Sequence, residues 1–344
     1  MSFCILSIDG GGIRGVVVTR MLEAIANRLN LSNPLVNHFD MVTGTSTGAI
    51  VASGLVLGKS PGELLDLYLR RGREIFPYTG WLNPKRLNLL WKYGLSAPKF
   101  SDQGLIQVIQ QELGMEKRLA DISPDRLRSQ KLMIISYDTV SREPVVFKSW
   151  RHEEWYASVP LWEACVCSAS APVYFPAHRL IVDDRSPVQD RSMIDGGIGA
   201  NNPSACAVAE AIRLLRTGKN LPVHAQESMD QIVNEIRILS LGTGELGRSL
   251  SWQEIRGWGA LQWGTRLVDV ILDAPADIHA YITRQILSDA MRDDPYHHLR
   301  LQPVLDQKFG AIDNTEPAYL RNLIEETDAY LDTQWTAIEA FFQS

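Results

Sequence analysis

Short apolar runs alternate with longer amphipathic stretches along most of this chain. The run at 3–8, FCILSI, is almost entirely apolar and ends at Asp-Gly, which predicts a buried strand. From Val16 to Leu31 the apolar residues recur at helical spacing and predict an amphipathic helix. The pattern then predicts strands within 37–48, 131–150, 191–197 and 235–245, and helices at 48–57, from Pro61 on, at 101–113, at 161–171 and from about 203 to 216. Strands that alternate with helices are typical of an α/β fold with a mainly parallel sheet.

Three stretches depart from this alternation. Residues 76–100 carry prolines, glycines and tryptophans that interrupt any regular period, so we predict a long loop, a cap or an irregular surface insert there. Residues 251–293 and 317–342 show helical spacing and predict a helical C-terminal part. The segment 217–234 is the only candidate linker, and it is too short and mixed in composition to separate two domains. We therefore expect a single domain over residues 1–344.

Composition and charge narrow the class of protein. The 344 residues are 45% hydrophobic and 22% charged, which is typical of a globular protein. The net charge of -6 argues against a nucleic-acid polymer as partner, since such binders carry a basic face. The chain has no apolar stretch long enough for a transmembrane helix, and its N-terminus lacks the basic start of a secretory signal. We expect a soluble, cytoplasmic protein.

The sequence contains no pattern typical of metal or cofactor binding. The four cysteines fit neither a zinc spacing nor a disulfide framework, and we expect buried, reduced thiols at Cys4, Cys165, Cys167 and Cys206. No other metal-ligand spacing occurs, so we expect no metal and no cofactor.

A glycine-rich turn follows the first predicted strand in the stretch SIDGGGIRG, residues 7–15. The spacing Gly10-x-Gly12-x-x-Gly15 fits the fingerprint of a dinucleotide-binding loop. The same backbone amides would also suit an oxyanion hole in an acyl-transfer enzyme. The motif alone leaves both interpretations open, and the spacing recurs at 242–247, which shows how little it discriminates.

A second motif lies between the next predicted strand and helix. Gly44-Thr45-Ser46-Thr47-Gly48 is a G-x-S-x-G sequence in the strand–turn–helix context that a nucleophile elbow requires. The flanking glycines let neighbouring backbone pass close to the turn, and the helix N-terminus favours negative charge. This context predicts Ser46 as a nucleophile.

A serine nucleophile needs a base within hydrogen-bond reach. None of the seven histidines falls in a glycine-rich turn at a strand end; His38, on the strand predicted before Ser46, suits a structural role better. Asp195-Gly196-Gly197 does lie at the end of a predicted strand. Asp195 is therefore better placed as the base than any histidine.

Taken in order, these three motifs resemble those of the patatin-like phospholipase family, whose members are serine lipid acyl hydrolases. The resemblance covers roughly residues 5–245 and extends to SASAPVYFP at 168–176 and to Asn202-Pro203, whereas no family motif is found after about 250. It implies a three-layer α/β/α sandwich in which residues 246–344 form the helical C-terminal part of the same domain. It also implies a Ser–Asp dyad with Ser46 as nucleophile and Asp195 as general base, and an oxyanion hole formed by Gly10, Gly11 and Gly12. Arg14 would then contact a lipid phosphate or form a structural ion pair.

The resemblance implies hydrolysis of carboxylic esters of phospholipids with release of free fatty acid, and transient contact with a membrane surface. An alternative is a bacterial antiviral-defence effector that a cyclic nucleotide activates. A further alternative is an NAD(P)-binding oxidoreductase, but the second predicted strand ends in Gly44-Thr45-Ser46 rather than in the acidic residue that would bind the ribose. A non-catalytic scaffold is disfavoured because both dyad residues are present. Trp81 and Trp91, like Trp252, Trp258 and Trp263, suit either a membrane interface or ordinary packing.

Overall fold

The computed structural model describes residues 2–31, 34–123, 130–183, 187–218, 226–246, 251–287 and 297–343. Its strands are β1 (Phe3–Ile8), β2 (Met41–Thr45), β3 (Lys131–Asp138), β4 (Glu143–Lys148), β5 (His178–Val182), β6 (Gln189–Asp195), β7 (Ile236–Leu241), β8 (Glu245–Leu246), β9 (His298–Leu301) and β10 (Val304–Leu305). Eight of them form one sheet, in which β3, β2, β1, β7 and β9 run parallel to one another in that spatial order. β8 and β10 form a separate pair.

The helices are α1 (Gly15–Arg28), α2 (Thr47–Val56), α3 (Pro61–Asp66), α4 (Gly72–Ile75), α5 (Leu87–Tyr93), α6 (Gln103–Leu113), α7 (Leu161–Ala169), α8 (Gly197–Ala200), α9 (Ser204–Gly218), α10 (Gln226–Val233), α11 (Trp252–Ile255), α12 (Ala260–Leu287) and α13 (Pro317–Gln343). A π-helical turn, Leu67–Arg71, joins α3 to α4. Among the described residues, no helix is both long and apolar enough to span a bilayer.

Helices cover both faces of the sheet because alternate strand residues point to opposite sides. On one face Leu6, Ile8 and Val42 pack with α1, α2, α7 and α13, whereas on the other Ile5 and Met41 pack with α9 and α10. The result is the three-layer α/β/α arrangement with a mainly parallel sheet, which confirms the predicted fold class.

One edge of β3 carries two different strands in succession. β4 pairs antiparallel with the whole stretch from Met133 to Asp138 and so occupies one edge alone. β2 pairs with residues 131–135 and β6 with residues 136–138, so both must lie on the opposite edge. Thr45 is therefore paired with Ile135 and Asp195 with the next residue, Ser136. This register brings the end of β2 against the end of β6.

The structure differs from the pattern-based predictions at several elements. β5 and β9 were not predicted, and His38 lies in a short 3₁₀ turn (Leu35–His38) rather than on a strand, with its ring packed against Phe342. The irregular segment 76–100 contains the short helix α5. The cysteines are free thiols; Cys165 and Cys167 are buried and the other two are half-buried. The predicted helical stretch 251–293 is described only to Leu287, and part of 217–234 and of the second glycine motif lies outside the described residues.

Candidate active site

Ser46 occupies a sharp turn between β2 and α2. Its backbone has φ 55° and ψ -122°, a conformation that a serine adopts only when its surroundings enforce it. Glycine is required on both sides, because a Cβ at Gly44 would lie 2.1 Å from the carbonyl oxygen of Gly48, and one at Gly48 would lie 2.2 Å from that of Ile8. The turn is thus the strained elbow that the G-x-S-x-G motif predicts.

Ser168 holds this elbow from α7. The Ser46 N–H donates to the Ser168 Oγ at 2.8 Å, and the Ser168 hydroxyl donates to the Ile135 carbonyl at 2.5 Å. Ser168 thereby links the turn to β3, the strand that aligns β2 with β6. The sequence identified Ser168 only as the start of a family motif and did not assign it a role.

Asp195 ends β6, and its carboxyl group lies close enough to the Ser46 side chain for that hydroxyl to influence its pKa. One carboxyl oxygen also accepts the backbone N–H of Gly197 at 2.7 Å. The side chain is buried, and this burial raises its pKa to about 6, although the neighbouring Ser46 hydroxyl and the Gly197 N–H oppose the shift. A carboxylate with this pKa is a stronger proton acceptor than an exposed one and is still ionised at neutral pH.

The glycine turn after β1 faces Ser46. Gly10 donates its N–H to the carbonyl of Asn201 at 3.1 Å, so this amide is already used within the protein. Gly11 and Gly12 precede α1 and line the same cleft as Ser46, and across the described part of the chain their N–H groups have no protein acceptor. Gly12 has φ +58°, and a Cβ there would lie 2.3 Å from the carbonyl oxygen of Ile312. Of the three predicted donors, Gly11 and Gly12 are therefore the ones available to a ligand.

An ion pair from the C-terminal part supports the glycine turn. The Arg300 guanidinium on β9 binds both carboxyl oxygens of Asp9, one at 2.9 Å and the other at 2.5 Å, and also donates to the Ser240 hydroxyl. Asp9 is buried immediately before the glycines. The region after 250, which showed no motif, thus supplies a residue that fixes the loop of the site.

Arg14 lies away from the cleft. Its side chain is only 5% exposed and donates to the carbonyl of Gly244 at 3.0 Å, joining the start of α1 to the turn after β7. A guanidinium buried on a backbone carbonyl cannot meet a lipid headgroup without leaving this site. The position of Arg14 therefore favours a structural role over contact with a lipid phosphate.

A mainly apolar cleft opens above Ser46 and Asp195. Its volume is about 570 Å³ when its open mouth is included. Asn201 also lines this cleft, and its side-chain oxygen is buried with no hydrogen-bond partner among the described residues. Tyr68, placed by the π-helical turn, donates to the Thr47 carbonyl and contacts the Thr47 hydroxyl. The apolar walls are formed by Ile50, Tyr68, Ile75, Phe76, Leu105, Ala169, Ala171, Tyr174, Phe175 and Ile312.

Comparison with known proteins shows the family of this chain. The family model described as patatin-like phospholipase matches residues 6–207, which contain Ser46, Asp195 and the glycine turn. The chain belongs to the patatin-like phospholipase family. Membership of this family indicates lipid acyl hydrolase activity.

The relatives of this patatin-like chain include plant proteins. It is 27% identical to patatin-like protein 3 of Arabidopsis thaliana, over 95% of this chain and 80% of the relative, and 27% identical to patatin group M-3 of Solanum tuberosum, over 75% and 66%. The crystal structure of VipD from Legionella pneumophila covers 96% of this chain and 67% of its own, with 13% identity and a TM-score of 0.43. Another relative at 27% identity, over 87% of this chain and 78% of its own, is named probable inactive patatin-3-Kuras 1, from Solanum tuberosum. Because a relative can match most of this chain and still be named probable inactive, the enzymatic activity of this chain has to be argued from the geometry of its own site.

The site differs from that of a dinucleotide enzyme. β2 ends at Thr45 and passes directly into the serine turn, so no acidic residue stands at this strand end to bind a ribose. Among the residues described, no group of three His, Cys, Asp or Glu side chains is placed to hold a metal ion.

Proposed function

We propose that this chain is a serine lipid acyl hydrolase that cleaves carboxylic ester bonds of phospholipids and releases free fatty acid. The observation that carries the proposal is that the register of β2 and β6 on β3 places the Asp195 carboxyl group beside the Ser46 side chain in an apolar cleft. The elbow geometry of Ser46 and the pKa of about 6 at Asp195 both support a nucleophile–base pair.

In the proposed reaction, Asp195 accepts the hydroxyl proton as the Ser46 oxygen attacks the ester carbonyl carbon. The tetrahedral oxyanion forms against the N–H groups of Gly11 and Gly12, at the positive end of the short helix that leads into α1. Asp195 then returns the proton to the leaving alcohol. A water molecule, deprotonated by the same carboxylate, attacks the acyl-enzyme and releases the fatty acid and free Ser46.

The walls of the cleft support a long acyl chain as the group that is transferred. Ile50, Leu105 and Phe175 line it and offer no charge to an acidic or basic substituent. Ser46 and Asp195 lie in the same cleft as Gly11 and Gly12, so an ester would lie at these residues with its hydrocarbon along the apolar walls.

A panel of phospholipids, lysophospholipids and neutral acylglycerols tests this proposal, with fatty acid and lysolipid detected by mass spectrometry. We expect the wild type to release fatty acid from a phospholipid, and Ser46→Ala and Asp195→Ala to release none. Turnover that survives both substitutions would refute the mechanism. The same panel with and without added cyclic nucleotides tests the effector alternative, since an activated effector would stay silent until the nucleotide is added.

A further inference from the structure

The segment 76–100, here called the cap, exposes several large apolar side chains. Leu82 is fully exposed, Leu95 is 95% exposed and Trp91 is 92% exposed. α5 lies within the cap and buries none of its seven residues. A helix this short is not stable on its own in water, and apolar residues so placed are typical of a surface that meets a partner.

The charge of the cap differs from that of the whole chain. Residues 76–100 contain four basic and no acidic residues, whereas the net charge of the chain is -6. Two of the four point inward: Arg86 donates to the carbonyls of Trp81 and Ala97, and Lys99 forms a buried ion pair with Asp313. The other two, Lys85 and Lys92, are exposed and lie seven residues apart, and both line a groove to which Glu74 and Asp102, from outside the cap, also contribute.

The cap is joined directly to the rim of the cleft. The N–H groups of Lys99 and Phe100 donate to the carbonyls of Val173 and Tyr174, at 2.9 Å and 2.8 Å. The Phe100 ring packs against those of Phe76 and Phe175, which line the cleft. A partner that binds the cap is therefore held at the mouth of the site.

We propose that the cap docks on a lipid surface that carries anionic headgroups. Leu82, Leu87, Trp91 and Leu95 would enter the interfacial layer, while Lys85 and Lys92 contact the headgroups. Because the rest of the chain carries the excess of negative charge, an anionic surface repels it and attracts the acid-free cap, which turns the cleft toward the lipid. This inference rests on the proposed function for its substrate, but docking can be measured without turnover.

Vesicle flotation in a Ser46→Ala background tests the docking. The vesicles contain phosphatidylcholine alone or mixed with phosphatidylglycerol. We expect flotation with the mixed vesicles and little with phosphatidylcholine alone. Trp91→Ala with Leu95→Ala should weaken binding by at least about tenfold. Lys85→Ala with Lys92→Ala should weaken binding to the mixed vesicles by about 30-fold, as expected for two lysines near an anionic surface.

Met115→Ala with Lys117→Ala is the matched control, since both side chains are exposed and lie outside the cap. The control should float like its parent, and all variants should keep their circular dichroism spectra and melting temperatures. Cap variants that float like the control would overturn the proposal. The docking proposal would also be overturned if the protein were a dimer that Trp91→Ala with Leu95→Ala converts to a monomer while flotation stays unchanged. The cap would then be a surface for self-association.

Hydrolysis of a water-soluble short-chain ester separates the two proposals. With Ser46 restored, the cap variants should retain this activity, because the cap does not supply the dyad. If the wild type hydrolyses the ester but does not float with the mixed vesicles, the docking proposal is refuted and the hydrolase proposal is not. Flotation without any ester hydrolysis by the wild type refutes the hydrolase and leaves docking supported.

Discussion

Replacing Asp195 with asparagine removes a buried charge while keeping the shape of the side chain. Burial raises the pKa of this carboxyl group from 3.8 to about 6. Since a tenfold change in proton affinity corresponds to about 1.4 kcal/mol, the ionised form costs the folded state about 3 kcal/mol at neutral pH. Asparagine carries no such cost, and its side-chain oxygen can still accept the Gly197 N–H. We expect Asp195→Asn to be inactive and yet more stable than the wild type.

The size of this gain in stability depends on pH, because it arises from the ionised form of the Asp195 carboxyl group. Below about pH 4 the carboxyl group is protonated in both folded and unfolded chains, so the gain from Asp195→Asn should vanish. Between about pH 4 and 6 the gain should grow, and above about pH 6 it should stay constant near 3 kcal/mol.

Urea unfolding of the wild type and Asp195→Asn across this pH range measures the difference in unfolding free energy. Glu316→Gln is the control, because this exposed carboxylate should change stability little at any pH. The ester hydrolysis rate of the wild type should rise with pH through about 6, as Asp195 loses its proton. An asparagine variant that gains no stability at pH 8, or that still turns over substrate, would refute the reasoning.

Three further substitutions test the supports of the site. Ser168→Ala leaves the buried Ser46 N–H without its acceptor and should lower the unfolding free energy by about 1–3 kcal/mol, with slower ester hydrolysis. Arg300→Met leaves the Asp9 carboxylate buried without its cation and should lower the unfolding free energy by about 3–5 kcal/mol at pH 8. The decrease should be smaller at pH 5, where the carboxyl group can take up a proton. Gly12→Ala places a Cβ against a facing backbone carbonyl and should lower kcat by about 100-fold, the loss typical of a displaced oxyanion donor.

Each of these substitutions has an outcome that would contradict its argument. Full stability and activity in Ser168→Ala would mean that the elbow does not depend on that hydroxyl. If Arg300→Met lowered the unfolding free energy equally at pH 8 and pH 5, the cause would be lost packing rather than an uncompensated charge. Gly58→Ala is the control for Gly12→Ala, since Gly58 also has positive φ but has open space around it. If Gly12→Ala retained the kcat of this control, the oxyanion donors would have to lie elsewhere.

Local patterns predicted the strand–turn–helix around Ser46 because its requirements are local. Two glycines flank the serine, an apolar strand precedes it and a helix follows, all within the stretch 41–56. The same holds for Asp195, which ends a strand and is followed by two glycines. The edge strands were harder to predict because β9 has only four residues and β5 buries only Leu180 and Val182.

The pairing between distant residues could not be predicted from local patterns. Asp9 and Arg300 are 291 positions apart, and only the placement of β9 beside β7 brings them together. The resemblance implied a lipid phosphate or a structural ion pair as the contact of Arg14, whereas in the structure the turn after β7 accepts its hydrogen bond. Motifs therefore indicated which residues belong near the site, and packing decided which of them reach the cleft.

Mass spectrometry of the chain after reaction with a fluorophosphonate probe tests the central claim most directly. Such probes phosphonylate a serine only where a neighbouring base activates it. We expect one modified peptide, carrying the label on Ser46, with labelling abolished in Ser46→Ala and strongly reduced in Asp195→Asn. Absence of label on the wild type, or label on another serine that persists in Ser46→Ala, would contradict the account.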